Sequence, residues 1–503
     1  MRMVKNTNKA VPAYALIAVF AVMAASLTTL AVALAQEPTD TPELAAPLRS
    51  EVERKNRIPV SPDVLHVQTP KPVEATLSNG VRVLILENHK APLITLQFSI
   101  DGAGSIYAST PELGTAAAAL MRQGTTTRTG ADITKELERL GASVTSTSGP
   151  TALRATLIAS GLSENFDQWF ALATDILLHP SFPNEDWQRL KQNRRAGLQG
   201  LRTSPTYLAT ERFNQAVFAN HPAGALLTAP QLDMLTVESF RNWHDERYVP
   251  QNTLLGIVGD LTASEMIPKL ENALGSWKKT AFSARPPGDP KPVDSRRAFL
   301  VDRPNSVETT ILIGNIGVDR RSPDYIPLVV ATNIIGSSPE GRLFSNLREE
   351  KGYTYAISST LSAGEFAGPW MTQTQVRTDV TGNSLSEIFR EIQRLSDEPV
   401  PAAELEERKR KLVARFALPL ENPTSPVTNE LTIKSFGFPE DYWETYPTQV
   451  MAVTAQDIQR VARKYINAEK MQIVAVGDAG KIKAALEKYG PVETYDINGR
   501  RLN

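Results

Sequence analysis

The stretch Leu77-Ser78-Asn79-Gly80-Val81-Arg82-Val83 opens the first regular structure of the chain. Asn-Gly is a strong signal for a tight turn between strands. The segment from Val81 to Glu87 predicts one strand. From Ile94 to Ile100 every second residue is apolar, which is the period of a second strand with one buried face. The fold therefore begins as a sheet.

A short alanine-rich helix is predicted after these strands, in Gly114-Thr-Ala-Ala-Ala-Ala-Leu-Met-Arg-Gln-Gly124. Thr110 is a candidate N-cap, Pro111 suits a first helical position, and Gly124 suits a left-handed residue that ends the helix. Since alanine ends in a methyl group, this helix offers almost no side chain that could carry chemistry.

The chain repeats this plan in a second half of similar length. Thr236-Val-Glu-Ser-Phe-Arg precedes a strand that ends Val258-Gly-Asp260, and Thr454-Ala-Gln-Asp-Ile-Gln precedes one that ends Val476-Gly-Asp478. Strands paired as hairpins and followed by blocks of helices are typical of α+β proteins. We therefore predict an α+β fold of two homologous domains, each a mainly antiparallel sheet with helices packed on one face.

Proline-rich stretches mark the boundaries between the predicted segments. Residues 36–72 show little periodicity, and Arg285-Pro-Pro-Gly-Asp-Pro-Lys-Pro292 can form neither a helix nor a central strand. The predicted segments are 1–35 (signal peptide or membrane anchor), 36–72 (flexible tether), 73–280 (N-terminal domain), 281–292 (linker), 293–492 (C-terminal domain) and 493–503 (tail).

The amino terminus carries Arg2, Lys5 and Lys9 before an uncharged apolar run from Val11 to Ala35. This pattern predicts an export signal cleaved after Ala35, but the run is longer than a usual signal core, so a single inner-membrane anchor stays open. Either alternative predicts an exported protein, and a bacterial periplasm fits best. The chain has no cysteine, and its 54 basic and 55 acidic residues give no reason to expect a nucleic-acid partner.

These features resemble the M16 (insulinase, or pitrilysin) family of zinc peptidases. That family's opening strands carry Leu-x-Asn-Gly-x-x-Val, which Leu77 to Val83 matches, and its next helix ends in Gly-Thr, which Gly124-Thr125 matches. The other matching stretches are Arg247-Tyr-Val-Pro-Gln-Asn252, Val258-Gly-Asp260 and Leu347-Arg-Glu-Glu-Lys-Gly-Tyr-Thr-Tyr355. The resemblance covers about residues 73–492 and implies two homologous M16-like domains.

In that family the first helix bears His-x-x-Glu-His. Aligning on Gly124-Thr125 places Thr115, Ala118 and Ala119 at the three functional positions. A peptidase zinc site needs two imidazoles one turn apart and a carboxylate that takes a proton from the bound water. A hydroxyl and two methyl groups supply neither, so the motif is degenerate. We predict that this chain holds no metal and has no cofactor of its own.

No other part of the sequence replaces the missing ligands. The family's third ligand is a glutamate on a later helix, here the one after Pro183, but no carboxylate lies between Asp186 and Glu211. The histidines show no pair at helical spacing, and we assign each to a loop or surface position. They are His66, His89, His179, His221 and His244.

The second half keeps residues that the family uses in catalysis. In M16 peptidases an arginine and a tyrosine reach from the second domain into the zinc site and hold the substrate backbone and the developing oxyanion; Arg348 and Tyr355 match them. Residues 341–351 predict a helix closed by Gly352, and residues 353–359 predict a strand that could bring the two side chains together. The alternative is that Arg348 forms a surface ion pair with Glu349 or Glu350 and that Tyr355 packs into the sheet.

We therefore expect the noncatalytic subunit of an exported, heterodimeric M16 peptidase. Its expected partner is a zinc-bearing M16 subunit, to whose active site Arg348 and Tyr355 would contribute, and its expected ligand is an extended peptide. The alternative function is a catalytically inert peptide-binding or scaffold protein that retains the peptidase fold.

Overall fold

The computed structural model describes residues 63–282, 285–337 and 339–502. From Val64 onward these residues form one compact unit. The predicted signal or anchor and most of the predicted tether lie outside the described residues. Where the tether is described, the backbone nitrogen and Oγ1 of Thr69 donate to Glu444 Oε1 at 3.4 and 3.2 Å. Across the described ranges, no helix is both long and apolar enough to cross a membrane.

The first half of the described chain contains a six-stranded sheet. Its strands are β1 (Val73–Thr76), β2 (Arg82–Glu87), β3 (Leu93–Asp101), β4 (Ser143–Thr147), β5 (Arg154–Leu162) and β6 (Thr253–Gly259). They lie in the order β1-β2-β6-β3-β5-β4, and only β2 and β6 run parallel. The predicted Asn79-Gly80 turn joins β1 to β2, with Gly80 at a positive φ of 94° that favours glycine.

The second half builds a sheet on the same plan. Its strands are β7 (Arg297–Asp302), β8 (Glu308–Ile316), β9 (Thr354–Leu361), β10 (Pro369–Arg377), β11 (Gln472–Gly477) and β12 (Val492–Tyr495). In the order β12-β7-β11-β8-β10-β9, the last five strands repeat the first sheet position by position. β7 runs parallel to β11 and β12, and the other pairs are antiparallel. The α+β class and the duplicated, mainly antiparallel architecture are confirmed, and β12 carries the sheet three residues into the predicted tail.

The helices of the described chain also repeat between the halves. Those of the first half are α1 (Leu113–Leu120), α2 (Gly130–Arg139), α3 (Phe166–Leu178), α4 (Asn184–Leu201), α5 (Pro205–Phe218), α6 (Ala229–Met234), α7 (Val237–Arg247) and α8 (Ala263–Leu274). Those of the second half are α9 (Tyr325–Ile335), α10 (Arg342–Phe344), α11 (Thr381–Asp397), α12 (Ala402–Ala417), α13 (Ser425–Phe436), α14 (Tyr442–Ala452), α15 (Ala455–Tyr465) and α16 (Ala479–Glu487).

Apolar side chains on the inner face of each sheet pack against helices of the same half. Leu96 and Phe98 of β3 are buried together with Trp169 of α3, as the period-two pattern predicts. Ile311 and Ile313 of β8 form the corresponding row in the second half. Burying each side chain of this size stabilises the fold by roughly 1.5 to 3 kcal/mol.

One helix from each half crosses to the outer face of the other half's sheet. α5 lies on β8 and β11, where its buried Phe213 and Val217 belong to one cluster with Leu312 and Val474. α13 lies in the same way on β2 and β6 of the first sheet. The prediction placed helices on one face of each sheet; the structure adds these crossing helices on the second face, which bind the halves to each other.

Glycine at position 256 makes the close approach of α13 to β6 possible. A Cβ at Gly256 would lie 2.6 Å from Val427 Cγ2 and 2.9 Å from Leu431 Cδ1, which is closer than van der Waals contact allows. These two α13 side chains fill the space with Leu84, Leu86 and other residues of the sheet. The packing of α13 on β6 therefore requires a residue without a side chain at position 256.

Candidate functional site

The degenerate motif lies on α1, between the core and the edge strand β4. Ala118 is buried, while Thr115 and Ala119 are partly exposed. The helix begins after Glu112, two residues later than the predicted cap at Thr110, and no side chain caps it. Gly124 does not end the helix in a left-handed conformation: its φ of 167° is extended, and a Cβ at this position would lie 2.9 Å from the hydroxyl of Ser181.

A hydroxyl cluster occupies the place where the family has its first histidine. Thr115 Oγ1 lies 2.9 Å from Ser105 Oγ, which lies 3.4 Å from Ser148 Oγ. Neither these neutral hydroxyls nor the methyl groups of Ala118 and Ala119 are zinc ligands. Among the residues that the structure describes, no group of three His, Cys, Asp or Glu side chains could hold a metal ion. The side chains present on α1 do not fit a zinc ion.

The helix predicted to carry a third ligand presents a cation instead. Arg194 of α4 donates from Nε to Oε1 of the buried Glu112 at 2.7 Å, beside the start of α1. Burial raises the pKa of Glu112, and Arg194 acts in the opposite direction. The guanidinium neutralises the carboxylate of Glu112 at this end of α1 and would repel a divalent cation.

One of the five histidines differs from its predicted surface position. His244 is buried in α7, its Nε2 lies 2.8 Å from the carbonyl oxygen of Leu177, and its ring stacks on Tyr248 with centroids 4.7 Å apart. Burial lowers the pKa of His244. The sequence held a signal for this: His244 follows the buried Phe240 by four residues and so shares its helix face.

Arg348 and Tyr355 are brought together, as the sequence predicted. The guanidinium carbon of Arg348 lies 4.8 Å from the centroid of the Tyr355 ring and 4.8 Å from that of Phe344. Gly352, at a φ of 62°, makes the reversal between helix and strand. Tyr355 is 83% exposed and therefore does not pack into the sheet. No ion pair joins Arg348 to a carboxylate within the described ranges, so the alternative of a surface ion pair is wrong there.

Two backbone irregularities hold this pair in place, and the sequence pattern indicates neither of them. α10 does not continue as the predicted α-helix but widens into a π-helix over Ser345–Glu350, which carries Arg348. The pairing of β9 with β10 shifts register between Thr374 and Val376, so Tyr355 lies in a β-bulge. π-helical segments and β-bulges both change the direction in which side chains point, and both are over-represented at functional sites.

The pair lies beside an unpaired strand edge. β9 and β4 each end their sheet, so one edge of each strand has no strand partner among the described residues. A cavity of about 370 Å³ next to Tyr355 is lined by Glu308, Gln375 and Arg377 among others. On the two strands nearest each edge, the outward-facing side chains include the uncharged hydroxyls and amides of Thr145, Thr156, Ser160, Ser358, Thr360, Gln373 and Gln375, beside Arg154, Ile158 and Arg377.

The counterpart of α1 in the second half is fixed by a buried carboxylate. Asp324, just before α9, accepts from Lys464 Nζ at 2.9 Å and from Tyr465 Oη at 2.7 Å, and it also pairs with Arg460. Burial is the largest single influence and raises the pKa of Asp324. The hydrogen bonds together outweigh it and lower that pKa to about 2.

Acid should therefore weaken the hold of Asp324 on α15. A carboxyl group with a depressed pKa stabilises the fold fully above its ordinary value of 3.8, and that contribution is lost as the pH falls towards about 2. We expect Asp324→Asn to lower the free energy of unfolding by roughly 1 to 2 kcal/mol at pH 7, after allowing for screening of the exposed cations. Urea unfolding should show the difference narrowing between pH 4 and pH 2; a constant difference would disprove the assignment.

Comparisons with known proteins agree with this architecture. The family model described as "Insulinase (Peptidase family M16)" matches residues 82–231, and the one described as "Peptidase M16 inactive domain" matches residues 234–412. The solved structure of a peptidase M16 inactive domain from Pseudomonas fluorescens superposes with a TM-score of 0.75 at 22% identity, covering 81% of this chain and 98% of that one. The periplasmic protease PqqL from Escherichia coli gives a TM-score of 0.68 at 14% identity, covering 84% of this chain and 47% of that one.

Two relatives carry names that differ on activity. "Uncharacterized zinc protease YmxG" of Bacillus subtilis (strain 168) is 23% identical over 371 residues, which cover 71% of this chain and 88% of that protein. "Non-peptidase homolog YmxG" of Helicobacter pylori (strain ATCC 700392 / 26695) is 20% identical over 411 residues, covering 80% and 93%. The side chains on α1 are those of neither a histidine pair nor a catalytic glutamate. The chain belongs to the M16 (insulinase) peptidase family and lacks the His-x-x-Glu-His side chains on α1.

Proposed function

We propose that this chain is the noncatalytic subunit of an exported M16-type zinc metallopeptidase. A partner subunit carries the zinc-binding helix, and this chain forms half of the peptide-binding chamber and supplies Arg348 and Tyr355 to the partner's active site. One observation carries the proposal: the exposed arginine and tyrosine are in contact at a strand edge, while the motif on α1 has no zinc-binding side chain.

The two side chains suit the task of holding a peptide carbonyl. The guanidinium donates charge-assisted hydrogen bonds, which contribute roughly 1.5 to 3 kcal/mol each, and the phenol of Tyr355 adds another donor. Both are most useful where negative charge develops on the carbonyl oxygen. Zinc held by the partner would supply the activated water. Contact with the rings of Phe344 and Tyr355 restricts the guanidinium of Arg348 and so preorganises it.

The unpaired edges support the assignment of an extended peptide as substrate. A peptide can add to the edge of β4 or β9 by main-chain hydrogen bonds, which do not depend on its sequence. The hydroxyl and amide side chains along these edges carry no charge, while the charged Glu308 and Arg377 line the cavity beside Tyr355. Binding of unfolded segments of varied sequence is the expected result.

Export is supported by the amino-terminal sequence and by the structural likeness to a protein described as periplasmic. The apolar run from Val11 to Ala35 lies outside the described residues. Whether it is cleaved or retained as an anchor is measured by amino-terminal sequencing of the exported protein, and the proposal favours cleavage after Ala35.

Copurification tests the proposed role. The full chain is purified from its source with an affinity tag, bound proteins are identified, and cleavage of fluorogenic peptides is followed with the chain alone and with its partner. We expect a partner that bears His-x-x-Glu-His and zinc-dependent cleavage only by the pair. Cleavage by this chain alone would refute the proposal. A chain that captures peptides but copurifies with no such partner would instead be the inert peptide-binding or scaffold protein.

A further inference from the structure

We infer that Asn346 and Thr354 are positioning residues that aim Arg348 and Tyr355 at each other. Asn346 would hold the π-helix, and Thr354 would hold the β-bulge. The inference concerns the geometry of the pair; its effect on peptide cleavage rests on the proposed function. Neither residue is expected to touch substrate, since both are buried.

Asn346 fastens the π-helix to α11. Its side chain is buried, and its amide nitrogen donates to Glu387 Oε2 at 2.9 Å and to Glu391 Oε1 at 3.0 Å. These glutamates lie one helical turn apart, so the two amide hydrogens bridge their carboxylates, which also pair with Arg390 on the same helix. Arg348 follows Asn346 by two residues. The hydrogen bonds of Asn346 to α11 therefore fix the backbone position from which the Arg348 side chain projects.

Thr354 fastens the bulge from the sheet side. Its Oγ1 lies 2.8 Å from the carbonyl oxygen of Ala356 and 2.7 Å from that of Gln375, and it accepts from the backbone nitrogen of Ala356 at 3.1 Å. Thr374 Oγ1 donates to the same hydroxyl at 2.9 Å. The hydroxyl thus satisfies backbone groups that the bulge removes from the strand ladder, and Tyr355 is the residue between.

In the first half of the chain, the corresponding helix and strand are regular and carry no such arginine and tyrosine pair. There, α2 is a regular α-helix from Gly130 to Arg139 with a capping box at Thr129, and β4 pairs with β5 in continuous register. The fold therefore does not require a π-helix or a bulge at these positions. Both irregularities occur where Arg348 and Tyr355 are held together, which is why we assign their fastening residues to the pair.

A spectroscopic probe tests this without any partner. Fluorotyrosine is placed at position 355 of the full chain, and its fluorine resonance is recorded for four variants: Arg348→Ala, Asn346→Asp, Thr354→Val and the exposed control Glu349→Gln. Asn346→Asp keeps the shape but replaces the amide donors by a third carboxylate, and Thr354→Val removes only the hydroxyl. We expect the first three variants to shift the resonance in one direction and the control to leave it in place, with circular dichroism and the cooperative melt retained.

The outcomes separate geometry from function. If Arg348→Ala moves the resonance and neither positioning variant does, the inference is overturned. If Asn346→Asp does not fold, the test rests on Thr354→Val: a resonance that this variant leaves in place overturns the inference. With the partner present, the positioning variants should lower kcat about 10-fold with little change in KM. A shifted resonance with unchanged kcat would uphold the positioning role and count against the proposed catalytic role of the pair.

Discussion

Replacing Arg348 with alanine is expected to lower kcat/KM of the assembled peptidase by about 100- to 1000-fold, the usual cost of losing one donor to a developing oxyanion. Zinc content and assembly should not change, because Arg348 is exposed and packs on the rings of Phe344 and Tyr355 of its own chain. The measurement is steady-state cleavage of a fluorogenic peptide by the purified pair.

Two matched variants define what the arginine does. Glu349→Gln changes the neighbouring exposed charge and should leave the rate within about twofold, because a surface charge change has little effect away from the site. Arg348→Lys keeps the charge but loses the planar fork, and an intermediate rate is expected. If Arg348→Ala left the rate of a fully assembled pair unchanged, the assigned role would be wrong.

Replacing Phe213 with alanine is expected to lower the free energy of unfolding by about 3 to 5 kcal/mol, because it removes a fully buried ring and leaves a cavity. Phe213 lies on the crossing helix α5 and packs on the second sheet, although it belongs to the first half of the chain. Its loss should therefore weaken both halves together. Urea unfolding is followed at once by tryptophan fluorescence, from residues in both halves, and by far-ultraviolet circular dichroism.

A matched control uses an apolar side chain that is not buried. Leu418, at the end of α12, is 72% exposed, and Leu418→Ala should cost less than about 0.5 kcal/mol. The wild type should unfold in one transition that both probes report alike. Two separated transitions, with Phe213→Ala moving only the first, would show that the crossing helices do not couple the halves.

Local patterns in the sequence predicted much of the fold. Thr236 and Thr454, which marked the duplication, are both N-caps with a complete capping box, at α7 and α15. Alternating apolar residues predicted the buried face of β3, and Asn79-Gly80 predicted the first turn. These predictions were confirmed because each depends only on residues a few positions apart in the sequence. The absence of ligands on α1 is visible in the same local way.

The remaining features depend on residues far apart in sequence. α5 reads as an ordinary helix, and nothing near Phe213 indicates that its apolar face packs on a sheet formed about a hundred residues later. The π-helix depends on the contact of Asn346 with Glu387 and Glu391 of α11. The bulge at Tyr355 depends on the pairing of β9 with β10. Neither irregularity can be predicted from hydrophobic periodicity, because the helix and strand periods assume a regular backbone.

The zinc content of the chain purified alone tests the central claim most directly. The full chain is equilibrated with zinc, passed through a chelating resin, and analysed for metal beside the assembled pair. We predict that the lone chain retains no zinc and that the pair retains only what the partner binds, because Thr115, Ala118 and Ala119 present a hydroxyl and two methyl groups. One zinc retained per lone chain, and lost when residues of α1 are changed, would contradict the account.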